Sequence, residues 1–229
     1  MSEFIAQFTD PGMWRLVLTS TWQTLIMVFF SSIFSFIIGL PLGVVLHVTD
    51  QEIYGGLKPM PLLNSVLSRI VNIFRSFPFI ILIIILMPLS RIIVGTGIGT
   101  VATIVPLSIA AAPFVARVIE SSLKEIDPGV VQAARAMGST NWQIIYKVMI
   151  PEALPSLVSG MTLTIINLIG YSAMAGALGG GGLGDLAIRY GYQRFRPAYM
   201  VAAVIIILLM VEIIQFVGNK IANHLISKR

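Results

Sequence analysis

The sequence predicts an all-α membrane protein with five transmembrane helices. Its 229 residues are 56% hydrophobic and only 11% charged, whereas about a quarter of the residues in soluble domains are charged. A chain of this composition cannot cover its surface with polar side chains, so we expect its solvent to be lipid. Because each span needs about 20 residues, the length allows five or six helices, and we predict a single transmembrane domain over residues 1–229.

Five apolar runs give the positions of the spans, over residues 21–47, 62–89, 98–118, 153–178 and 198–222. The second run is strongly apolar only over residues 77–89, which follow an amphipathic stretch that contains Arg69 and Arg75. We interpret it as one long helix bent near Pro78. The alternative is an interfacial helix followed by a short span. The segments 90–97 and 179–197 are predicted to be short loops.

The distribution of lysine and arginine predicts how the chain is oriented. Ten of its fifteen basic residues lie in segments that the five spans place on one side: Lys58, Arg69, Arg75, Arg117, Lys124, Arg135, Lys147, Lys220, Lys228 and Arg229. The positive-inside rule assigns that side to the cytoplasm. We therefore expect the N-terminus outside and the C-terminus in the cytoplasm. We interpret the net charge of +5 as an orientation signal and expect no nucleic-acid partner.

Several kinds of chemistry are excluded or disfavoured by the residues present. The chain has no cysteine, which excludes disulfides, thiolate catalysis and cysteine-bound metals. Its two histidines, His47 and His224, lie far apart in sequence, and no metal site is predicted. An intramembrane enzyme would need paired acids, a serine–lysine pair or a histidine cluster. Glu212 stands alone within the predicted spans, and we predict no catalytic residue.

The segment 126–155 is too polar to span a membrane and has strong helix signals. Asp127 is placed as an N-cap, with Pro128 at the first helical position. Gly138 is the expected stop of this first helix. The spans place the whole segment on the cytoplasmic side, between the third and fourth transmembrane helices.

A second helix is predicted to follow directly. Thr140 and Gln143 have the spacing of a capping box, and we expect the helix to continue until Pro151 interrupts it. The sequence thus predicts a helix–turn–helix across the cytoplasmic face. Part of its first helix carries only small side chains, because three of its residues are alanine: Ala133, Ala134 and Ala136.

This segment resembles the EAA loop of permease subunits in ATP-binding-cassette (ABC) importers. The family pattern is E-A-A, three residues, Gly, nine residues and then I-x-L-P. The chain has Gln132, Ala133 and Ala134, then Gly138, then V-M-I-P at residues 148–151, with the same spacing. It departs from the pattern at Gln132, and conservatively at two later positions, Val148 and Ile150.

The resemblance extends over most of the chain and is strongest to the methionine-importer branch of the family. It is carried by the runs FRSFPFIILIIILMP, IVPLSIAAAPFVARVIE, AARAMG, LPSLVSG and GYSAMAGALGGGGLGDLAIRYGY. Polar-amino-acid permeases usually have R-G-T-P where this chain has R-S-F-P at residues 75–78. That difference favours methionine as the cargo.

The resemblance implies a transmembrane permease whose EAA-type loop, about residues 120–151, contains a cytoplasmic coupling helix. It implies a permease homodimer in the bacterial cytoplasmic (inner) membrane, two ABC ATPase subunits and an external binding protein that delivers the amino acid. The chain has no Gly-x-x-x-x-Gly-Lys-Ser/Thr phosphate loop. ATP and Mg are therefore expected on the partner ATPase, and no cofactor or enzyme activity is expected in this chain.

Two sets of site residues follow from the resemblance and from the topology. The residues predicted to dock the ATPase are Gln132, Ala133, Ala134, Arg135, Ala136, Met137, Gly138, Trp142 and Lys147. The candidates to line the translocation pathway all lie in the fourth span: Asn167, Tyr171, Ser172 and Met174. Asparagine and serine in a span also serve as interhelical hydrogen-bonding residues, and that alternative stays open here.

Two other functions remain open at this point. One is a member of the same family that imports another amino acid or a small polar compound. The other is a non-transporting scaffold subunit of a larger membrane assembly, which would not need a small-residue helix on its cytoplasmic face.

Overall fold

The structure is a computed structural model that describes residues 7–51 and 56–227. Within those ranges every regular element is helical, which confirms the predicted all-α class. The α-helices are α1 (Pro11–Val48), α2 (Pro61–Ser76), α3 (Phe79–Val94), α4 (Thr100–Lys124), α5 (Pro128–Ala136), α6 (Asn141–Gln143), α7 (Ile150–Ala175), α8 (Gly182–Asp185) and α9 (Pro197–Ile226). Wider π-helical turns cover Ile144–Met149, Gly176–Gly180 and Leu186–Tyr192. Lys228 and Arg229, which entered the orientation argument, lie outside the described residues.

In the described residues four helical stretches are long and apolar enough to cross a membrane: α1, α4, the stretch Asn141–Gly180, and α9. A fifth span results if α2 and α3 together count as one, which agrees with the predicted number. The helices extend beyond the predicted spans. Helix α1, for example, begins at Pro11, ten residues before the predicted span. Composition locates only the apolar part of a helix, and the helix itself can continue into more polar residues.

The second span is not the single bent helix that we predicted. Helix α2 ends at Ser76, α3 begins at Phe79, and the two differ in direction by 105°. The presence of two separate helices agrees with the alternative prediction, an interfacial helix followed by a short span. Its cause is Pro78, which lacks an N–H and forces the preceding residue out of helical geometry. Pro78 itself is extended, with ψ 123°.

The described chain divides into two compact units. Unit 1 consists of the described residues of Met1–Ser35 together with Phe77–Ala111 and Ile165–Gln215. Unit 2 consists of the described residues of Phe36–Ser76, Ala112–Thr164 and Phe216–Arg229. Helices α1, α4, α7 and α9 each contribute residues to both units. The single transmembrane domain remains a prediction.

Unit 1 has an apolar core whose most deeply buried members include Met27, Leu107 and Leu168. Its glycine-rich segment was predicted to be a loop from residue 179 onward. The backbone does leave helical geometry at Leu178 and Gly179, but helical turns resume over residues 182–192, so the prediction was wrong for that part. Their backbone is held by side chains of α1: Gln23 accepts a 2.8 Å hydrogen bond from the Gly182 N–H, and Thr24 accepts one of 2.9 Å from the Leu183 N–H. These side chains are distant in sequence, so local composition could not predict the helical turns.

Unit 2 has a separate core formed mainly by α4, the π-helical turn and the start of α7, with Val115, Ile119, Ile144 and Met149 among its buried members. Beside it lies a network of polar side chains. Glu120 is 2.6 Å from Arg117 and 2.9 Å from Lys124, and Lys124 is 2.7 Å from Asp50. Arg117 also donates to the Asn72 side chain and to the Ser68 carbonyl, at 3.0 and 3.2 Å.

Candidate functional site

The first helix of the predicted EAA-type loop has the expected N-terminus. Helix α5 begins at Pro128, and Asp127 is its N-cap, with a side-chain oxygen that accepts a 2.7 Å hydrogen bond from the Gly129 N–H. The cap satisfies one of the backbone donors that a helix start leaves unpaired. The sequence prediction for this end of the helix is confirmed.

The C-terminus of α5 is closed by Gly138, as the sequence also predicted. Gly138 has φ +79°, a left-handed conformation that is costly for residues with a Cβ. Its N–H donates to the Arg135 carbonyl at 2.9 Å, and the Ser139 N–H donates to the Ala134 carbonyl at 3.1 Å. This pair of bonds is the Schellman motif. Gly138 therefore fixes the direction in which the chain leaves α5.

The second helix begins with the predicted capping box at Thr140. The Thr140 N–H donates to the Gln143 side-chain oxygen at 2.9 Å, and the Gln143 N–H donates to the Thr140 hydroxyl at 3.4 Å. The expected interruption at Pro151 was wrong, because the helix runs on without a break into α7. The π-helical turn explains this: the Ile150 N–H donates to the carbonyl of Ile145, five residues back, and the wider turn accommodates the proline ring.

The predicted docking residues fall into an exposed set and one buried member. Those that are exposed are Gln132, Ala133, Arg135, Ala136, Met137, Gly138, Trp142 and Lys147. Met137 and Trp142 are 78% and 75% exposed, a large fraction for apolar side chains. Ala134 is only 2% exposed and belongs to the core of unit 2. The reason is helical periodicity, which turns Ala134 with Val131 toward the core and leaves Ala133 and Ala136 outside.

Sequence reasoning missed Tyr146, which belongs to the same exposed surface. Its side chain is 73% exposed, and it follows Trp142 by one helical turn, so the two rings are neighbours on the helix. Together with Gln143 and Lys147 they line a cavity of about 280 Å³. The spacing of four residues between the two aromatic residues was the signal that could have found it.

The pathway candidates do not share one environment. Asn167 and Met174 are exposed and lie on one face of α7, two helical turns apart. Tyr171 is half-buried and stacks on Phe79, with ring centres 4.3 Å apart. Ser172 is 2% exposed, and its hydroxyl donates a 2.7 Å hydrogen bond to the Ile169 carbonyl of its own helix. The structure thus brings two of the four candidates to a common exposed face.

Among residues 7–51 and 56–227, no three histidine or acidic side chains converge as a metal site would require. His47 is buried in unit 2, and within the described part of the chain neither of its ring nitrogens has a hydrogen-bond partner.

Comparisons with known proteins agree on one family. Residues 39–227 match the family described as "Binding-protein-dependent transport system inner membrane component". A protein of Vibrio cholerae named "Probable D-methionine transport system permease protein MetI" is 50% identical over 91% of this chain and 92% of its own length. The Escherichia coli K12 protein named "D-methionine transport system permease protein MetI" is 53% identical over 73% of this chain and 76% of its own length.

A solved structure shares the fold. It is described as "Inward facing conformations of the MetNI methionine ABC transporter". The match has a TM-score of 0.92 and 46% sequence identity, and it covers 95% of this chain and 99% of the other. The sequence match and the shared fold lead to the same assignment. The chain belongs to the inner membrane components of binding-protein-dependent transport systems, and it is a permease subunit of an ABC importer.

Proposed function

We propose that this permease takes up methionine, which an external binding protein delivers. The observation that carries the proposal is the 50% identity, over 91% of the chain, to a relative named as a D-methionine permease. The R-S-F-P run at residues 75–78 supports the same cargo. Import of another amino acid by the same machinery is the alternative cargo.

The proposed assembly is a permease homodimer in the inner membrane with two ATPase subunits on its cytoplasmic side. ATP and Mg belong to those subunits, since this chain has no phosphate loop. Ten of the fifteen basic residues on one predicted side support the orientation with the N-terminus outside and the C-terminus in the cytoplasm.

Uptake by whole cells tests the cargo. Cells that lack their own methionine importers would express this chain together with its ATPase and its binding protein. We expect uptake of labelled methionine, competed by excess unlabelled D- or L-methionine and not by histidine or arginine. Uptake that polar amino acids compete and methionine does not would assign the alternative cargo.

The proposed contact with the ATPase is the docking surface, which consists of Gln132, Ala133, Arg135, Ala136, Met137, Gly138, Trp142, Tyr146 and Lys147. Its small side chains allow a close approach to a groove, and its exposed aromatic residues are of the type that dominates interface energies. An apolar patch of this kind on a polar loop is typical of a protein contact. Ala134 packs in the core beneath this surface and does not contact the ATPase.

Matched tyrosine substitutions test this surface. Tyr146 and Tyr192 are 73% and 69% exposed, and only Tyr146 belongs to the docking surface. We expect Tyr146→Ala to weaken ATPase binding about tenfold, as loss of one interface anchor would. Tyr192→Ala should leave ATPase binding unchanged. Affinity is measured by titrating purified ATPase onto the purified permease, and equal affinities for the two variants would contradict the proposal.

Gly138→Asp is a second and more severe test. An aspartate would strain the left-handed position and would place a charge within the docking surface. We expect the variant to lose ATPase and to lose uptake while the permease itself is still recovered from membranes. Normal uptake by Gly138→Asp would reject the docking role.

The exposed face of α7 is the proposed part of the pathway. Because the chain has no cysteine, single cysteines can be introduced without a background signal. We expect Asn167→Cys and Met174→Cys to react with a charged, water-soluble thiol reagent and Ser172→Cys to remain unlabelled. Failure of the first two to react would place this face against lipid or protein.

A further inference from the structure

Unit 1 carries five exposed residues in a row that neither the docking surface nor the pathway candidates include. The five are Tyr192, Gln193, Arg194, Phe195 and Arg196. They join the last π-helical turn to the start of α9. The predicted orientation puts this segment outside the membrane, and we call these five residues the outer tip.

Phe195 lies within the outer tip in a backbone conformation that is unfavourable for phenylalanine. Its φ of +53° is the one positive value at a non-glycine residue in the described part of the chain. This left-handed region is costly for a residue with a Cβ and not for glycine. The ring gains little from its own chain in return, since Phe195 is 86% exposed. A bulky residue at such a position is a sign of a function outside the fold.

The base of the outer tip is held firmly in place. The Arg196 N–H donates a 3.2 Å hydrogen bond to the Tyr190 carbonyl. The ring of Tyr190 stacks on that of Tyr199, which is buried, with ring centres 5.4 Å apart. The Arg194 guanidinium lies 4.6 Å from the centre of the same Tyr190 ring. The outer tip is therefore a shaped projection that presents the Phe195 ring to its surroundings.

The outer tip is also positively charged. Arg189, which precedes it, is paired with Asp185. Among residues 7–51 and 56–227, no carboxylate lies within ion-pair distance of Arg194 or Arg196. The positive-inside rule disfavours arginine on the outer side of a membrane, so two unpaired arginines there call for another explanation. An acidic surface on a partner is their electrostatic complement.

We propose that the outer tip is an anchor on which the external binding protein docks. The Phe195 ring enters an apolar pocket of that protein, and Arg194 and Arg196 face acidic residues around the pocket. The inference rests on the proposed function, which supplies both the binding protein and the outward orientation. Aromatic residues and arginine are the types that carry most of the binding energy at protein interfaces.

The backbone of Phe195 favours a protein over lipid as the occupant. Fluid lipid accepts an aromatic side chain in many orientations and places no demand on one backbone conformation. A pocket in a folded partner accepts one orientation, and a preorganised side chain loses less entropy when it binds there. The unfavourable φ of Phe195 is therefore explained by a partner with a defined shape.

Titration of the purified binding protein onto the permease with its ATPase subunits, held in lipid nanodiscs, tests the anchor. We expect Phe195→Ala to weaken docking about tenfold, as loss of an interface anchor does. The matched control is Phe216→Ala, which removes a ring that is 68% exposed on α9 and should leave docking unchanged. Equal affinities for these two variants would overturn the proposal.

Phe195→Gly separates docking from a structural role. Glycine adopts the left-handed conformation without strain, so we expect this variant to have a higher thermal midpoint than the unmodified permease. Its docking should be as weak as that of Phe195→Ala. A variant that is more stable and docks normally would show that the ring is not an anchor.

Arg196→Gln tests the charge of the outer tip. Loss of a charge at the rim of an interface mainly slows association and reduces its dependence on salt. Arg69→Gln removes the same charge from α2, on the predicted cytoplasmic side, and should associate as the unmodified permease does. Identical association rates for the two variants at low salt would contradict the electrostatic part of the proposal.

A single cysteine distinguishes the binding protein from lipid. The chain has no other cysteine, so Phe195→Cys can be followed with a charged, water-soluble thiol reagent in nanodiscs. We expect rapid labelling that saturating binding protein prevents. No labelling in the absence of the binding protein would place residue 195 in lipid, and labelling without protection would place it outside the contact. Both results would overturn the proposal, whereas docking without methionine uptake would overturn only the cargo assignment.

Discussion

At Gly39 and Gly43, α1 presents no side chain to α4. A Cβ on Gly39 would lie 2.6 Å from the Val115 Cβ, and one on Gly43 would lie 2.6 Å from the Ala116 carbonyl oxygen. Non-bonded atoms do not approach so closely, so the spacing of the two helices depends on these two positions. Small residues commonly permit such packing in membranes, but the sequence does not say which of the 20 glycines have this role.

Gly43→Ala is expected to destabilise the permease. The added methyl group would meet a backbone carbonyl that cannot rotate away, and overpacking of this kind costs about 1–3 kcal/mol. A lower thermal midpoint in detergent, followed by size-exclusion chromatography, is the measurement.

Gly170→Ala is the control for that substitution. A Cβ at this helical glycine meets no atom within 4 Å, so we expect no loss of stability. Alanine can even stabilise an open helical position, by up to about 1 kcal/mol relative to glycine. A similar drop in midpoint for both variants would show that the close approach at Gly43 is not the cause.

At the scale of the element, the caps of α5 hold the docking surface in place. A nine-residue helix is too short to be stable alone, so its ends and its packed face must supply its stability. The packed face is small, with Val131 and Ala134 as its apolar contacts to the core. The caps therefore matter more here than in a long helix.

Asp127→Ala should loosen α5 without disturbing the spans. Loss of an N-cap costs about 1 kcal/mol, and we expect faster hydrogen exchange at the amides of residues 129–131. Asp127→Asn keeps an acceptor oxygen and should exchange more slowly than the alanine variant. Indistinguishable exchange in these two variants would mean that the cap does not stabilise the helix.

At the scale of the whole molecule, the polar network of unit 2 ties the segment after α1 to α4. Burial acts to raise the pKa of Asp50, but its hydrogen bonds to Lys124 and the Gln51 N–H and the Lys124 charge prevail, so the pKa lies below the ordinary value of 3.8. A carboxyl with a lowered folded pKa stabilises the protein above its unfolded pKa. That contribution is lost as the pH falls through the folded pKa.

Asp50→Asn should therefore lower the thermal midpoint at pH 7, and the difference from the unmodified chain should shrink as the pH falls below about 4. The measurement is the midpoint of both proteins across a pH series. In a Lys124→Met background the difference should largely disappear at every pH, because the partner is gone. A difference that stays constant as the pH falls would exclude the ionised pair as its origin.

Some structural features were predicted correctly from the sequence and others were not, for physical reasons. The start and end of α5 and the start of α6 were predicted because Asp127, Gly138 and Thr140 act on backbone groups within three residues. The continuity of the helix through Pro151 was not, because it depends on a π-helical turn. The helical turns after residue 179 were missed for a similar reason, since Gln23 and Thr24 bind them across more than 150 residues of sequence.

By itself, the sequence determined the all-α membrane class, the family and the capped helix of the EAA-type loop. Cap residues act on backbone groups nearby in sequence, and composition and the distribution of basic residues are properties of whole segments. These signals can be interpreted without knowing which helices pack together. Only the tertiary structure decided that Ala134 is buried while Tyr146 is exposed, and that Gln23 and Thr24 of α1 bind the backbone of Gly182 and Leu183. Each of these depends on contacts between residues distant in sequence, and such contacts exist only once the helices pack.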